Sequence, residues 1–257
     1  MSSIMKMTFA FGRFNPSTIG HEVLIDKAKS VGGKNYRIYI SQSQDRKKNP
    51  LDYSTKLHFM RKMFPAHKKH IINSPARTAI DVAVELSKEG FTDIIFIAGS
   101  DRVTEFDALL QKYNGVKARH GEYKFDSIKV ISAGERDPDA DGASGMSASK
   151  MRAAAQDDDL DKFKQGLPPK FANSPDATKL FRAVQKAMGV KSMNEWYVEG
   201  VFGRTIKKKG YIAAVVYYKK FIQRGDKPAN AIHKAASMIQ GLNDRDLKLF
   251  LQKNKVL

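Results

Sequence analysis

Apolar residues in the first two-thirds of this chain follow two alternating patterns. Met5–Phe11, Tyr36–Ser41, His70–Asn73, Ile94–Ala98 and Ile128–Ala133 are short runs rich in Ile, Phe and Val. They read as strands covered on both faces. Between them, Gly20–Val31, Tyr53–Met63, Thr78–Glu89 and Val103–Tyr113 carry apolar positions at helical spacing, and Ser147–Gln156 begins a further helix. Strand–helix alternation predicts an α/β fold, a parallel sheet with helices on both faces and right-handed crossovers. In such sheets ligands bind beyond the carboxyl ends of the strands, near the reversal of strand order. Three segments follow strand ends: Gly12–His21, Gly99-Ser100-Asp101 and the loop leading into Ser147.

The pattern changes at Gly166-Leu167-Pro168-Pro169, continued by Asn173-Ser174-Pro175. This breaker-rich stretch predicts a linker over residues 166–175, between a domain of residues 1–165 and a small all-helical domain of residues 176–257. Helices are expected over Asp176–Met188, around Asn194–Val201, and over Tyr211–Arg224, Pro228–Gln240 and Asp244–Asn254. Pro228 suits a first helical turn, and Asn243 or Asp244 suits the cap of the final helix.

Charge sharpens the division. The chain has a net charge of +18, and residues 173–257 hold 17 Lys/Arg against 6 Asp/Glu. Such a tail attracts polyanions, nucleic acid foremost; the plainer reading is a solvated helical surface. Its aromatic residues, Trp196, Tyr197, Tyr211, Tyr217, Tyr218 and Phe221, could stack on bases. Because Tyr211, Val215, Tyr218 and Ile222 recur at helical spacing, the favoured reading is a core or a self-association interface.

Composition narrows the remaining classes. With no cysteine there are no disulfides and no thiolate metal sites. No apolar run approaches the length of a membrane span, and the N-terminus lacks the pattern of a secretory leader. The expectation is a soluble cytoplasmic protein with no membrane contact.

Two segments carry the chemistry. Gly12-Arg13-Phe14-Asn15-Pro16-Ser17-Thr18-Ile19-Gly20-His21 leaves a strand and opens a helix, and Ser147-Ala148-Ser149-Lys150-Met151-Arg152 opens another. Each puts backbone N–H groups, hydroxyls and a cation at a helix N-terminus, where phosphate is favoured by unpaired donors and the helix dipole. Gly12 permits a tight turn and Gly20 a close backbone approach. His21, in the first turn, could donate to a phosphate oxygen; its alternative is a packing or capping role. Asp101 after Gly99 has an alternative as N-cap of the helix from Val103.

Gly12 to His21 resembles the signature of the nucleotidyltransferase superfamily marked by an H/T-x-G-H motif, with Thr18 in the first position. Ser147 to Arg152 is similar to its second motif, I-S-x-S/T-x-x-R, with Met146 where isoleucine is usual. The Gly-Arg-Phe-Asn-Pro opening most resembles nicotinamide-nucleotide adenylyltransferases, bacteriophage relatives included, and a phage protein would work in the host cytoplasm. The resemblance covers residues 5–165 and implies a Rossmann-like domain that transfers AMP from ATP to nicotinamide mononucleotide, as in NAD biosynthesis. It implies that His21 contacts the α-phosphate, that Thr18 helps hold the phosphates, and that Ser147, Ser149 and Arg152 hold the β- and γ-phosphates. Lys150 belongs to the same phosphate-binding turn, and Asp101 would bond a ribose hydroxyl. Arg13 and Arg102 are further candidate phosphate contacts; Lys47 and Lys48 could meet the acceptor. Mg²⁺ would arrive on the nucleotide phosphates, with no metal site of the protein's own.

Two tempting motifs fail. Asp137-Pro138-Asp139-Ala140-Asp141-Gly142 mimics a calcium loop, but Ala148 stands where a bidentate Glu is needed. Gly203-Arg204-Thr205-Ile206-Lys207 lacks phosphate-loop spacing. Alternatives to the leading expectation are an adenylyl- or cytidylyltransferase with another phosphorylated acceptor, and a non-catalytic structural or DNA-associated protein keeping the nucleotide fold.

Overall fold

The structure, a computed structural model, describes residues 5–134, 145–190, 208–239, 242–254 and 256–257. The expected helix around Asn194–Val201, the acidic loop Asp137–Gly142 and the segment Gly203–Lys207 lie outside the described residues, as do Trp196 and Tyr197.

Among the described residues four strands form the sheet: β1 (Lys6–Gly12), β2 (Tyr36–Ile40), β3 (Asp93–Ala98) and β4 (Ser127–Ser132). They run parallel in the order β2-β1-β3-β4. The chain moves one way from β1 to β2 and the other way from β1 to β3, so strand order reverses beside β1. Strand periodicity divides the core. Ala10, Ile38, Ile40, Ile95 and Ile97 face one layer, whose helices are α1 (Ile19–Gly32) and α2 (Tyr53–Met63). Phe9, Tyr39, Ile94 and Phe96 face the other, formed by α3 (Ala79–Lys88) and α4 (Val103–Lys112). The expected double-faced α/β architecture is therefore present.

Phe96 is fully buried, with its ring stacked on Phe9 at 4.7 Å and edge-on to Phe106 at 4.8 Å. Phe96→Ala would remove most of those contacts and leave a cavity that a rigid sheet cannot close. Chemical denaturation is expected to show a loss of about 3–5 kcal/mol, and a loss below about 1 kcal/mol would contradict this packing.

The expected strand His70–Asn73 shrinks to one parallel bridge, Ile38↔Ile71. The segment makes two backbone bonds to Ile38. It then leaves the sheet edge, where the Ser74 N–H donates to the Tyr53 hydroxyl instead.

The larger correction concerns residues 166–175. They form no linker. After α5 (Ala148–Gln156) come α6 (Leu160–Lys164), α7 (Pro169–Ala172) and α8 (Pro175–Met188). Leu167 and Phe171 join the same core as α1 and α2. Prolines start α7 and α8 at their first turns, so residues read as breakers are helix openers. Gly166 is held close: its carbonyl accepts the Ile19 N–H, and a side chain there would lie 2.5 Å from the Met151 sulfur. The buried face of α8, Ala177, Leu180, Phe181 and Val184, completes this layer. The chain divides into compact units at Val190/Lys191.

The second unit packs α9 (Lys208–Gln223), α10 (Pro228–Ser237) and α11 (Asp244–Lys253) around Tyr211, Val215, Tyr218, Ile232, Leu247 and Phe250. Tyr211 and Tyr218 are core residues, as the helical spacing favoured. Ile222 departs from that stripe and is 36% exposed, in the last turn of α9 just before the bend at Gly225. Asn243 caps α11, its side chain accepting from the Asp246 N–H at 2.8 Å.

Candidate active site

The loop after β1 is shaped by close contacts. A side chain on Gly12 would come within 2.9 Å of the Phe14 ring. Phe14 adopts a positive φ of 47°, is buried, and packs its ring 4.8 Å from the His21 ring. Asn15 is buried too: its amide donates to the Leu51 carbonyl and accepts from the Leu51 N–H, both at 3.0 Å. This pair fixes the end of the β2–α2 loop against the β1 turn.

Thr18 caps α1 from a buried position. Its backbone N–H donates to His21 Nδ1 at 2.9 Å, and its hydroxyl lies 2.9 Å from the same nitrogen. A backbone N–H can only donate, so Nδ1 is the unprotonated nitrogen and Nε2 carries the proton of the neutral ring. Thr18 thus orients the imidazole from behind. Thr18, expected to help hold the phosphates, does not itself line the cavity. Thr18→Val keeps the backbone bond and removes the hydroxyl. With the imidazole less firmly oriented, kcat in an assay of nucleotidyl transfer is expected to fall about threefold to tenfold, the loss of one neutral hydrogen bond. Steady-state kinetics would check this.

The second motif meets the first. Ser147 caps α5, its hydroxyl accepting from the Lys150 N–H at 3.1 Å. Arg152 donates through Nη2 to the Ser149 hydroxyl at 3.0 Å and through Nη1 to the Asn15 carbonyl at 2.7 Å, across 137 positions of sequence. Burial and the nearby charge of Arg13 push the Arg152 guanidinium down from its ordinary value, while Asp45 opposes them.

Between these loops lies a cavity of about 380 Å³. Arg13, Phe14, Asn15 and His21 line it from the β1 side; Ser147, Ala148, Ser149 and Arg152 from α5; Lys48 and Asn49 from the β2–α2 loop. No carboxylate lines it among the described residues. A second hollow shares Ser149 and Arg152 and is otherwise lined by Arg46, Lys47, Ala153, Gln156 and Met188. Gly12, Gly20, Gly99, Asp101 and Lys150 do not line the cavity. Gly99 and Asp101 follow β3, beside β1, and Asp101 is exposed. Asp101 does not cap α4, whose N-cap is Arg102 without a side-chain bond. Arg102 pairs with Glu105.

Asn49 lines the cavity although neither sequence motif marks it. Its amide nitrogen donates to Asp45 Oδ2 at 2.6 Å, while Asp45 Oδ1 accepts the N–H groups of Lys47 and Lys48 at 3.0 and 2.7 Å. These bonds hold the Asp45 carboxyl below its ordinary range. The run Asp45-Arg46-Lys47-Lys48-Asn49-Pro50 carries the turn chemistry that would have identified the loop. Asn49 Oδ1 is buried with no hydrogen-bond partner among the described residues.

A parallel sheet with two helix N-termini and a cationic cavity at its carboxyl edge defines a nucleotide-handling α/β domain. Comparison with known proteins names the family. The chain matches the cytidylyltransferase-like family over residues 9–154, a span containing both loops, and it belongs to that family within the nucleotidyltransferase superfamily. Among solved structures it is similar to Thermotoga maritima TmcAL bound with alpha-thio ATP, at 11% identity and a TM-score of 0.39, covering 96% of this chain and 74% of that one. No curated protein matches the chain. No helix among the described residues is long and apolar enough to cross a membrane.

Proposed function

We propose that the cavity grips the polyphosphate of a nucleoside triphosphate and that the protein transfers the nucleotidyl group to a phosphorylated acceptor. The observation that carries this reading is the bond from Arg152 to the Asn15 carbonyl, which brings two phosphate-favouring helix N-termini to one cavity. ATP and nicotinamide mononucleotide are the pair favoured by the resemblance of the Gly12–His21 segment.

An acceptor phosphate oxygen attacks the α-phosphorus, a new P–O bond forms, and the α–β bridging P–O bond breaks to release pyrophosphate. The protein contributes position and charge. His21 Nε2–H donates to the α-phosphate as charge builds there. Arg152, Ser147 and Ser149 hold the β- and γ-phosphates, and Arg13 and Lys48 add positive potential. Asp101, at the β3 end, bonds a ribose hydroxyl. Among the described residues no cluster of three metal-ligating side chains occurs. Magnesium would enter with the nucleotide, neutralising phosphate oxygens.

Purified protein incubated with ATP, nicotinamide mononucleotide and Mg²⁺ is expected to yield NAD and pyrophosphate in equal amounts. The same assay with CTP and other phosphorylated acceptors distinguishes the pair. Pyrophosphate release with none of them, or equal release by His21→Ala, would sink the enzymatic reading.

A further inference from the structure

Lys56 is an anomaly in α2. It stands one turn before Phe59 and Met60 and two before Met63, on the stripe that buries those apolar side chains. At 1% exposure it is itself a core residue. A cation there is costly unless something specific compensates. Its Nζ donates to the Ser41 carbonyl at 2.6 Å and the Ser43 carbonyl at 3.3 Å. Asp52, the N-cap of α2, is the charge whose field supports it, and among the described residues no carboxylate is bonded to the Lys56 ammonium.

The two carbonyls begin the β2–α2 loop. Ser41 also donates its N–H to the Gly12 carbonyl at 2.8 Å, which ties this point to the end of β1. From here the chain runs through the Asp45 turn to Lys48 and Asn49 in the cavity wall and reaches the Asn15–Leu51 pair. The loop is thus anchored at its far end by Asn15 and at its near end by Lys56.

We propose that Lys56 is a positioning residue for the phosphate cavity: its ammonium clamps the start of the β2–α2 loop from beneath, and polyphosphate affinity depends on that clamp. The claim about affinity rests on the phosphate-binding reading above; the claim about the loop does not. Burial pushes the Lys56 ammonium down to about 8, against Asp52, so the clamp carries its charge at neutral pH and weakens under mildly alkaline conditions, as charge-assisted bonds to the two carbonyls become neutral ones. Global stability moves the opposite way. Between about 8 and the ordinary value of 10.5 the unfolded chain binds the proton and the folded chain does not, so this group adds stability as pH rises through that window. Loss of loop order together with unchanged or rising global stability is what a clamp predicts and a general alkaline loosening does not.

The test uses the full chain as wild type, Lys56→Met and Lys56→Arg. Amide exchange of residues 43–49, read without ligand, is expected to lose about tenfold in protection between pH 7 and 9 in the wild type. Lys56→Met should show that loss already at pH 7, and Lys56→Arg, which keeps its charge, should abolish the pH dependence. Calorimetric titration with inorganic tripolyphosphate should follow, with affinity falling roughly fivefold to tenfold wherever protection falls. Lys56→Met replaces the cation with a side chain of similar length, and equal protection and affinity in that folded variant would overturn the proposal. So would a pH dependence that persists in Lys56→Arg. Should the wild type bind no tripolyphosphate, the phosphate reading fails, and the claimed link to affinity is overturned with it; exchange alone still decides whether Lys56 clamps the loop.

Discussion

His21→Ala is expected to lower kcat for nucleotidyl transfer about 10²–10³-fold while the KM for the nucleotide changes little, as for loss of an oriented donor that acts mainly in the transition state. The reason lies in which nitrogen carries the proton. Thr18 occupies Nδ1 with its backbone N–H, so the imidazole turns a protonated Nε2 outward. The ring is braced by Phe14. Alanine removes the donor without disturbing β1, because His21 is only partly buried. His21→Asn, which keeps a donor on a shorter side chain, should recover part of the loss. A parallel rise in KM with kcat intact would instead make His21 a ground-state binding residue.

The second large effect is expected at Arg152. Arg152→Ala removes a charge-assisted donor from the polyphosphate and also leaves the Asn15 carbonyl without the bond that joins the two loops. A loss of about 2–3 kcal/mol, or roughly 30- to 160-fold in nucleotide affinity, is expected from hydrogen bonds to a charged group. Arg152→Lys should recover little, since one ammonium cannot reproduce the planar fork that reaches Asn15 and Ser149 together. Equilibrium binding of a non-hydrolysable ATP analogue measures this directly. Nearly wild-type affinity in Arg152→Lys would mean that the guanidinium geometry is unimportant.

The strands were legible because parallel strands buried on both faces appear as uninterrupted apolar runs. Ile94–Ala98 was read almost to the residue, and Asp93–Ala98 is observed. Helix α2 is legible at both ends because Asp52 caps it and Pro65 keeps Phe64 out of helical geometry. The segment from Gly166 to Pro175 misled because Pro and Gly punctuate short helices as readily as linkers. The contrary signal was already there in Leu167 and Phe171, apolar residues that a solvated linker has no reason to carry. The two phosphate motifs gave His21, Ser147, Ser149 and Arg152, since local helix-start chemistry marks them. Asn49 and Lys56 were less visible because their placement depends on tertiary contacts. A lysine on an apolar stripe, at the first position of the Lys56, Phe59, Met60, Met63 series, is nonetheless a sequence-level conflict. Such conflicts concentrate at sites with a function. Thr18 shows the reverse limit: the motif located it, but only coordinates reveal that it supports the imidazole.

The central claim is that loops led by His21 and Arg152 hold one polyphosphate. A crystal structure of the complex with a non-hydrolysable ATP analogue and Mg²⁺ tests it most directly. The account predicts an α-phosphate oxygen about 3 Å from His21 Nε2, with the same ligand's β- or γ-phosphate bonded to the Arg152 guanidinium at a similar distance. A triphosphate lying elsewhere, or one touching His21 while Arg152 contacts no phosphate, would contradict it.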